Sequence, residues 1–289
     1  MKITITLLIV FTNLLSAQIK GVVVDENNKP IPYVNIWIEN ENVGTTSEED
    51  GSFKIDSKDE NKNLVFSAIG YQKEISKFKE KIVLEKQIYT LEDVVIQTSK
   101  QTKEIEIGDS KKIHHTQLSG DKPWIYGKLF SYETKYSETS FLKSIIFYTN
   151  SKKEEAKIKI RVYEVKDSIP TDDILYEDLI VTVKKGMRKN KIDVSKYKIM
   201  FPKNGLIVGL EWLIIDFNKY DFEYKEGKNK KILVSYAPDL VINYSEVENS
   251  YRFSGGKWKK NKIIFFKTKN KNPWDNKIMV PAINLILTN

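Results

Sequence analysis

The chain has 289 residues, 40% of them hydrophobic, which is enough for two domains of ordinary size with real cores. It contains no cysteine, which excludes disulfide bonds, thiolate metal sites and a lipid-modified N-terminal cysteine. The formal net charge is +8, but lysine supplies nearly all of the positive charge. Arginine suits phosphate recognition better than lysine does, so its scarcity argues against a nucleic-acid partner.

Residues 1–17 have the pattern of an export signal. Lys2 supplies the positive start, ITLLIVFTNLL the apolar middle, and Leu15-Ser16-Ala17 a small-residue end ahead of Gln18. The apolar run is too short for a comfortable membrane span. We therefore expect an exported protein without a transmembrane span after signal removal, located in the periplasm, at the outer membrane as a peripheral protein, or at the cell surface.

Residues 18–97 are predicted to form the first domain, made of short strands separated by turns. In YVNIWIEN, Val34, Ile36 and Ile38 alternate with polar or aromatic neighbours, which is the period of a strand. The turn EDG places Gly51 where a tight reversal needs a positive φ. Strands this short at this spacing predict a small antiparallel sandwich.

Several motifs occur in a known order in this segment: G-x-V-x-D from Gly21, PIP-x-V-x-I from Pro30, GTT and then DG-x-F, and L-x-F-S-x-I-G-Y from Leu64. In this order they resemble the carboxypeptidase-regulatory-like domain, a transthyretin-like seven-stranded sandwich common in envelope proteins of Bacteroidetes. The resemblance covers about a quarter of the chain. It implies an appendage without catalytic activity, because the enzymes that carry this domain place their zinc site in a separate, larger domain.

The histidines His114 and His115 do not provide such a site. Adjacent residues on an extended strand point to opposite faces, so this pair is a poor chelate. We therefore predict no metal, no cofactor and no catalytic residue, and we expect the protein not to be an enzyme.

The stretch LEDVVIQ at residues 91–97 resembles the short motif that comes after the regulatory-like domain in TonB-dependent transporters. There the motif is an interaction peptide, which docks by strand addition to a sheet edge. Val94, Val95 and Ile96 are therefore candidate partner-docking residues. Residues 124–289 are too few to supply a membrane barrel of the size found in those transporters. We accordingly favour a bridging strand for this stretch and keep partner docking as the alternative.

Residues 98–123 are predicted to be a polar linker, because they lack sustained periodicity and end at Gly120 and Pro123. Strand-like runs resume at Trp124, so residues 124–289 are predicted to form a larger, jelly-roll-like β-sandwich. GLIVGLEWLII is apolar on both faces, as expected of a central strand. The predicted fold class of the whole chain is all-β. The second domain also resembles a C-terminal module that accompanies the regulatory-like domain in exported Bacteroidetes proteins.

Jelly-roll domains often bind carbohydrates, and an exposed aromatic ring can lie against the face of a sugar. Trp258 and Trp274 are predicted to lie in exposed Lys- and Asn-rich loops, so they are the candidate ligand-facing residues, while Trp212 is predicted to be core. Packing alone is the competing explanation for both candidates.

The sequence is compatible with three functions. We favour a non-catalytic cell-envelope protein that binds or scaffolds a surface polysaccharide or another envelope protein. The second is an accessory role in TonB-dependent outer-membrane nutrient uptake, based on LEDVVIQ. The third is a divergent carbohydrate-active enzyme that uses an acidic pair such as Asp172 and Asp173, since a glycosidase needs two carboxylates flanking one bond.

Overall fold

The computed structural model describes residues 18–57, 59–87, 101–110, 115–117, 119–263 and 276–289. The predicted signal at 1–17, residues 91–100 with the three docking candidates, His114 and Trp274 lie outside these residues. In the described part of the chain, no helix is long and apolar enough to cross a bilayer.

The first sandwich has seven strands in two sheets, as predicted. One sheet has the order β4-β1-β7 and the other the order β3-β2-β5-β6. Its strands are β1 (Ile19–Asp25), β2 (Asn35–Ile38), β3 (Gly44–Thr46), β4 (Ser52–Ile55), β5 (Asn63–Ser67), β6 (Glu74–Lys77) and β7 (Lys81–Leu84). The alternation of Phe53 and Ile55 places both side chains in the core between the sheets. Gly51 has φ +77° at the turn before β4, as its sequence context predicted.

The second sandwich is larger and also all-β. Its strands are β8 (Glu104–Ile107), β9 (His115–Gln117), β10 (Ile125–Phe130), β11 (Phe141–Ser151), β12 (Ala156–Lys166), β13 (Ile169–Asp173), β14 (Leu179–Val183), β15 (Gly186–Asp193), β16 (Leu206–Trp212), β17 (Lys219–Glu226), β18 (Asn229–Tyr236), β19 (Asp239–Ser245), β20 (Ser250–Ser254), β21 (Lys257–Lys260), β22 (Ile278–Pro281) and β23 (Ile283–Thr288). Short 3₁₀ helices occur at Thr134–Glu138, Ser195–Tyr197 and Asp216–Asn218.

Two seven-stranded sheets enclose the core of this sandwich, and β17 and β18 pair with each other as a separate two-stranded sheet. The sheet that faces the first sandwich, here called the docking sheet, has the order β13-β12-β16-β10-β20-β21, with β14 also paired to β12. The opposite sheet is built around β11, β19, β22 and β23. Strand β16 is central and buried throughout, as its two apolar faces predicted. Trp212, at its end, is core and donates its indole N–H to Pro238 O over 2.7 Å.

The predicted linker at residues 98–123 needs correction. Two of its segments, β8 and β9, are strands of the second sandwich and pair with β23 and β19. In β8, Ile105 and Ile107 alternate with glutamates, which is a strand pattern with one inward face. The second isoleucine is buried in the large core. The polar composition of the stretch hid this short alternation.

Candidate ligand-binding site

The two sandwiches meet across buried polar contacts. Lys159 donates to the backbone oxygen of Tyr33 over 2.7 Å and lies 3.0 Å from the carboxylate of Asp178. Thr46 Oγ1 accepts from the backbone N–H of Ile214 over 3.0 Å. Each of these contacts satisfies a group that would otherwise lose water on burial.

At the centre of this interface lies a chain of charged and amide groups. Asn35 of β2 donates its side-chain N–H to Glu211 Oε1 over 2.8 Å. Arg161 Nη1 lies 2.9 Å from Glu211 Oε2, and Arg161 Nε pairs with Asp173. Burial raises the pKa of Asp173, against the opposing attraction of Arg161. The guanidinium lies between two carboxylates that hold its pKa well above the usual value despite burial.

Beside this cluster is a cavity of about 160 Å³, here called the interface pocket. Both sandwiches line it with four aromatic rings and several polar groups: Asn35, Trp37, Ser67, Lys73, Ile125, Arg161, Tyr163, Thr171, Phe253, Gly256 and Trp258. The register explains the convergence on one side, because Ile125, Phe253 and Trp258 are successive cross-strand partners and therefore share a face of the docking sheet.

The aromatic wall of the pocket is closely packed. Trp258 makes edge-to-face contacts with Tyr163 at 5.1 Å and with Phe253 at 5.4 Å between ring centroids. Trp37 contacts Phe253 in the same way at 5.6 Å. Gly256 has φ +77°, and a Cβ there would lie 2.6 Å from Trp37 Nε1. Only glycine lets the β20–β21 turn approach the indole this closely.

One polar atom in the pocket has no partner. Asn35 is 3% exposed, and its side-chain oxygen is buried without a hydrogen-bond partner, although its N–H is committed to Glu211. A buried acceptor left unsatisfied costs about 1–3 kcal/mol. At the pocket edge, the Lys73 ammonium lies 5.6 Å from the centre of the Trp37 ring. That oxygen is closed to solvent, so the pocket offers a ligand its ring faces and the polar side chains at its edge.

A larger cleft of about 640 Å³ lies elsewhere along the interface. Its charges largely satisfy one another: Asp216 lies 3.7 Å from Lys54, and Glu48 accepts from the Asp216 backbone N–H. Burial raises the pKa of Glu48 and raises that of Tyr236 to about 12. Paired charges and few rings make this cleft a weaker candidate than the interface pocket.

Of the predicted site residues, the structure places Trp258 at the interface pocket but does not bring Asp172 and Asp173 together. Trp258 lies on strand β21, not in a loop as its flanking lysines suggested, and lines the interface pocket. Asp172 is exposed at the end of β13, whereas Asp173 is buried against Arg161. As neighbours on a strand they point to opposite sides and do not converge on one bond. Among the described residues, no group of three or more His, Cys, Asp and Glu could hold a metal ion.

Sequence reasoning missed Asn35, Trp37 and Arg161. They come from strands far apart in the chain, and no local pattern marks them as neighbours. A weak signal was present, because Asn35 and Trp37 occupy the face of β2 opposite to Val34, Ile36 and Ile38. A tryptophan and an amide on the outer face of a strand indicate that something covers that face.

Comparison with known proteins shows a similarity that covers the first sandwich. Residues 19–106 match the CarboxypepD_reg-like domain. This regulatory-like domain supplies β2 and therefore half of the interface pocket, and its match extends through most of β8 in the second sandwich. No curated protein sequence matches the chain significantly.

Solved structures give only distant likenesses. One is a clostridial cysteine protease, Cwp84, after propeptide cleavage, with 11% identity, a TM-score of 0.41, and coverage of 86% of this chain and 51% of that one. Another contains the cysteine protease and lectin-like domains of Cwp84 from Clostridium difficile, with 11% identity, a TM-score of 0.37, and coverage of 86% and 46%. The chain spans about half the length of these proteins, and likenesses at this level carry no information about its function.

Proposed function

We propose that the protein is a non-catalytic, exported cell-envelope protein that binds a surface polysaccharide through the interface pocket. The supporting observation is the convergence of tryptophan and tyrosine rings with the polar side chains of Ser67, Lys73 and Thr171 in one cavity. Sugars present apolar ring faces and hydroxyl donors together, and such a cavity complements both. Drug-sized ligands occupy roughly 300–1,000 Å³, so this smaller pocket accommodates one sugar residue rather than a long segment.

The regulatory-like domain supports a binding role, since the resemblance implies an appendage rather than a catalytic unit. The rigid, buried contacts between the sandwiches support it further. A pocket formed by two elements that are held together by several hydrogen bonds is largely preformed, which reduces the ordering cost of binding. Export rests on the pattern of residues 1–17.

The test is glycan binding by the purified protein on an array of bacterial polysaccharide fragments. Trp258→Ala should abolish retention, because it removes one ring wall. Thr171→Trp should also abolish it, because this exposed position borders the pocket and a large ring there fills it. Tyr176→Ala is the matched control, since it removes an aromatic side chain that is 59% exposed outside the pocket.

Circular dichroism confirms that each variant is folded. The proposal is rejected if the unmodified protein retains no glycan, or if Trp258→Ala and Thr171→Trp bind as well as Tyr176→Ala does.

The accessory role in TonB-dependent uptake stays a second candidate, favoured by the sequence LEDVVIQ. Residues 91–100 lie outside the described part of the chain, so this role rests on the sequence alone. A peptide with the sequence LEDVVIQTSK should release heat on mixing with the C-terminal domain of TonB in calorimetry. Absence of heat at millimolar peptide would remove this candidate.

A further inference from the structure

A third cavity, of about 110 Å³, lies between the two sheets of the larger sandwich. Tyr126 of β10 and Arg252 of β20 are direct cross-strand partners, so both side chains leave the docking sheet on the same face. Met279 of β22 belongs to the opposite sheet and closes the other side. Trp124 and Lys262 also line the cavity. This arginine cavity is separate from the interface pocket, which lies on the other face of the docking sheet.

The arginine in this cavity lacks an anion. The Nε atom of Arg252 is buried without a hydrogen-bond partner, and no carboxylate of a described residue forms an ion pair with its guanidinium. The guanidinium carbon lies 5.1 Å from the centre of the Trp124 ring. Stacking of this kind orients the planar group but leaves its N–H edge available.

The three buried cations Lys128, Lys159 and Arg161 of the same sheet are each paired with a carboxylate. Lys128 is 2% exposed and lies 2.8 Å from Asp109. Lys159 is 0% exposed and lies 3.0 Å from Asp178, and Arg161 has both Asp173 and Glu211. These pairs offset the cost of burying a charge. Arg252 differs from them because it is only partly buried and forms no ion pair with a carboxylate of the described residues.

The groups around Arg252 suit a negatively charged ligand. Lys262, at the rim, adds positive charge. Burial raises the pKa of Tyr126 to about 12, so its hydroxyl keeps its proton at neutral pH. Asn261 also lines the cavity, but its side-chain N–H donates to Ser250 Oγ over 2.7 Å. Trp124 and Met279 contribute apolar surface. A guanidinium fork matches a carboxylate in two parallel hydrogen bonds.

We propose that the arginine cavity binds the carboxylate of a small organic acid, with Arg252 as the pairing cation and Trp124 as the wall against the body of the ligand. The ring of Trp124 and the side chain of Met279 favour a carboxylate attached to a ring or short carbon chain over a free inorganic oxyanion, which would require polar donors on every side.

Isothermal titration calorimetry of the purified protein tests this assignment with acetate, benzoate and D-glucuronate, and with inorganic sulfate for comparison. We expect saturable binding of at least one carboxylate. Arg252→Gln should weaken it by roughly tenfold to a hundredfold, because it removes a charge-assisted pair. Arg252→Lys, which keeps the charge but loses the fork, should weaken it less.

Arg188→Gln is the matched control, because Arg188 is exposed on β15 far along the chain from the cavity, and this variant should bind like the unmodified protein. The proposal is overturned if no carboxylate binds, if Arg252→Gln binds as tightly as Arg188→Gln, or if sulfate binds more tightly than every carboxylate. Loss of glycan binding in Trp258→Ala would not bear on this result, since the two cavities lie on opposite faces of the docking sheet.

Discussion

Arg161 and Arg252 lie in the same sheet and have opposite surroundings. Arg161 faces the first sandwich between Asp173 and Glu211, and Asn35 of the other sandwich completes the cluster. Arg252 faces the interior of its own sandwich beside Trp124, and its buried Nε has no partner. The first guanidinium is fully committed to the protein, and the second is not.

The comparison distinguishes Arg161, whose charge stabilises the interface between the sandwiches, from Arg252, whose charge is available to bind a ligand. A buried ion pair contributes modest net stability, but removing one partner leaves a charge that water no longer solvates. The interface therefore depends on Arg161 and its carboxylates for correct assembly. No ion pair with a described residue depends on Arg252 in the ligand-free protein. Mutation of Arg161 or its carboxylates should therefore lower stability, whereas mutation of Arg252 should weaken ligand binding.

The largest expected effect is at the interface cluster. Glu211→Ala should lower the free energy of unfolding by about 3–5 kcal/mol, because it leaves Arg161 with one carboxylate and removes the acceptor for Asn35. Urea denaturation monitored by tryptophan fluorescence measures the change. Trp37 and Trp258 lie near the cluster, so their emission also reports separation of the sandwiches.

The matched control is Glu248→Ala, which breaks a half-exposed pair with Lys260 on the same sheet and should leave stability nearly unchanged. Equal, small losses for the two variants would show that the interface cluster does not hold the sandwiches together.

Lys159→Met comes next. It keeps the length of the side chain but leaves the buried backbone oxygen of Tyr33 without its donor, which should cost about 1–3 kcal/mol. The same denaturation experiment measures it. Lys189→Met, at an exposed position on β15, is the control, and a loss no larger than that of the control would contradict the assigned role of Lys159.

Much of the fold was predictable because it depends on local alternation and turn chemistry. The two apolar faces of β16 predicted a central strand, and Gly51 marked the turn before β4. The motif order in the first domain predicted its seven strands. Residues 98–123 were interpreted wrongly because β8 and β9 are very short and gain their partners from the end of the chain, at β19 and β23.

The candidate site was less predictable because it is formed by contacts between distant segments. Trp258 was singled out as an aromatic residue in a polar context, but its partners Tyr163 and Phe253 were not. The Asn35–Glu211 hydrogen bond joins residues 176 positions apart, and composition carries no information about such a contact. No local sequence pattern marks Arg252, and only the strand register places it opposite Tyr126.

Arg252→Met tests, through the free energy of unfolding, whether Arg252 is dispensable for the stability of the ligand-free protein. Without ligand, the free energy of unfolding should stay the same or rise by up to about 1 kcal/mol, because the variant removes a partly buried cation that has no carboxylate partner among the described residues. With a carboxylate at about a hundred times its dissociation constant, the unmodified protein should gain roughly 2.7 kcal/mol, and the variant should gain nothing. A ligand-free loss as large as that of Glu211→Ala would give Arg252 a structural role instead.

The smallest expected effect is a pH dependence at a paired cation of the same sheet. Burial pushes the pKa of Asp109 upward, but attraction and hydrogen bonding to the Lys128 ammonium more than offset this, so its pKa is lowered. The folded state therefore holds the Asp109 proton less tightly than the unfolded state does. The resulting stability is fully present above the unfolded pKa, near pH 4, and is lost as the pH falls through the lower folded value.

Asp109→Asn should reduce the slope of a plot of the urea midpoint against pH below about pH 4. Asp121→Asn, which changes an exposed acid, should leave that slope unchanged. Identical slopes for both variants would show that Lys128 does not depend on Asp109, and the contrast with Arg252 would then rest on Lys159 and Arg161 alone.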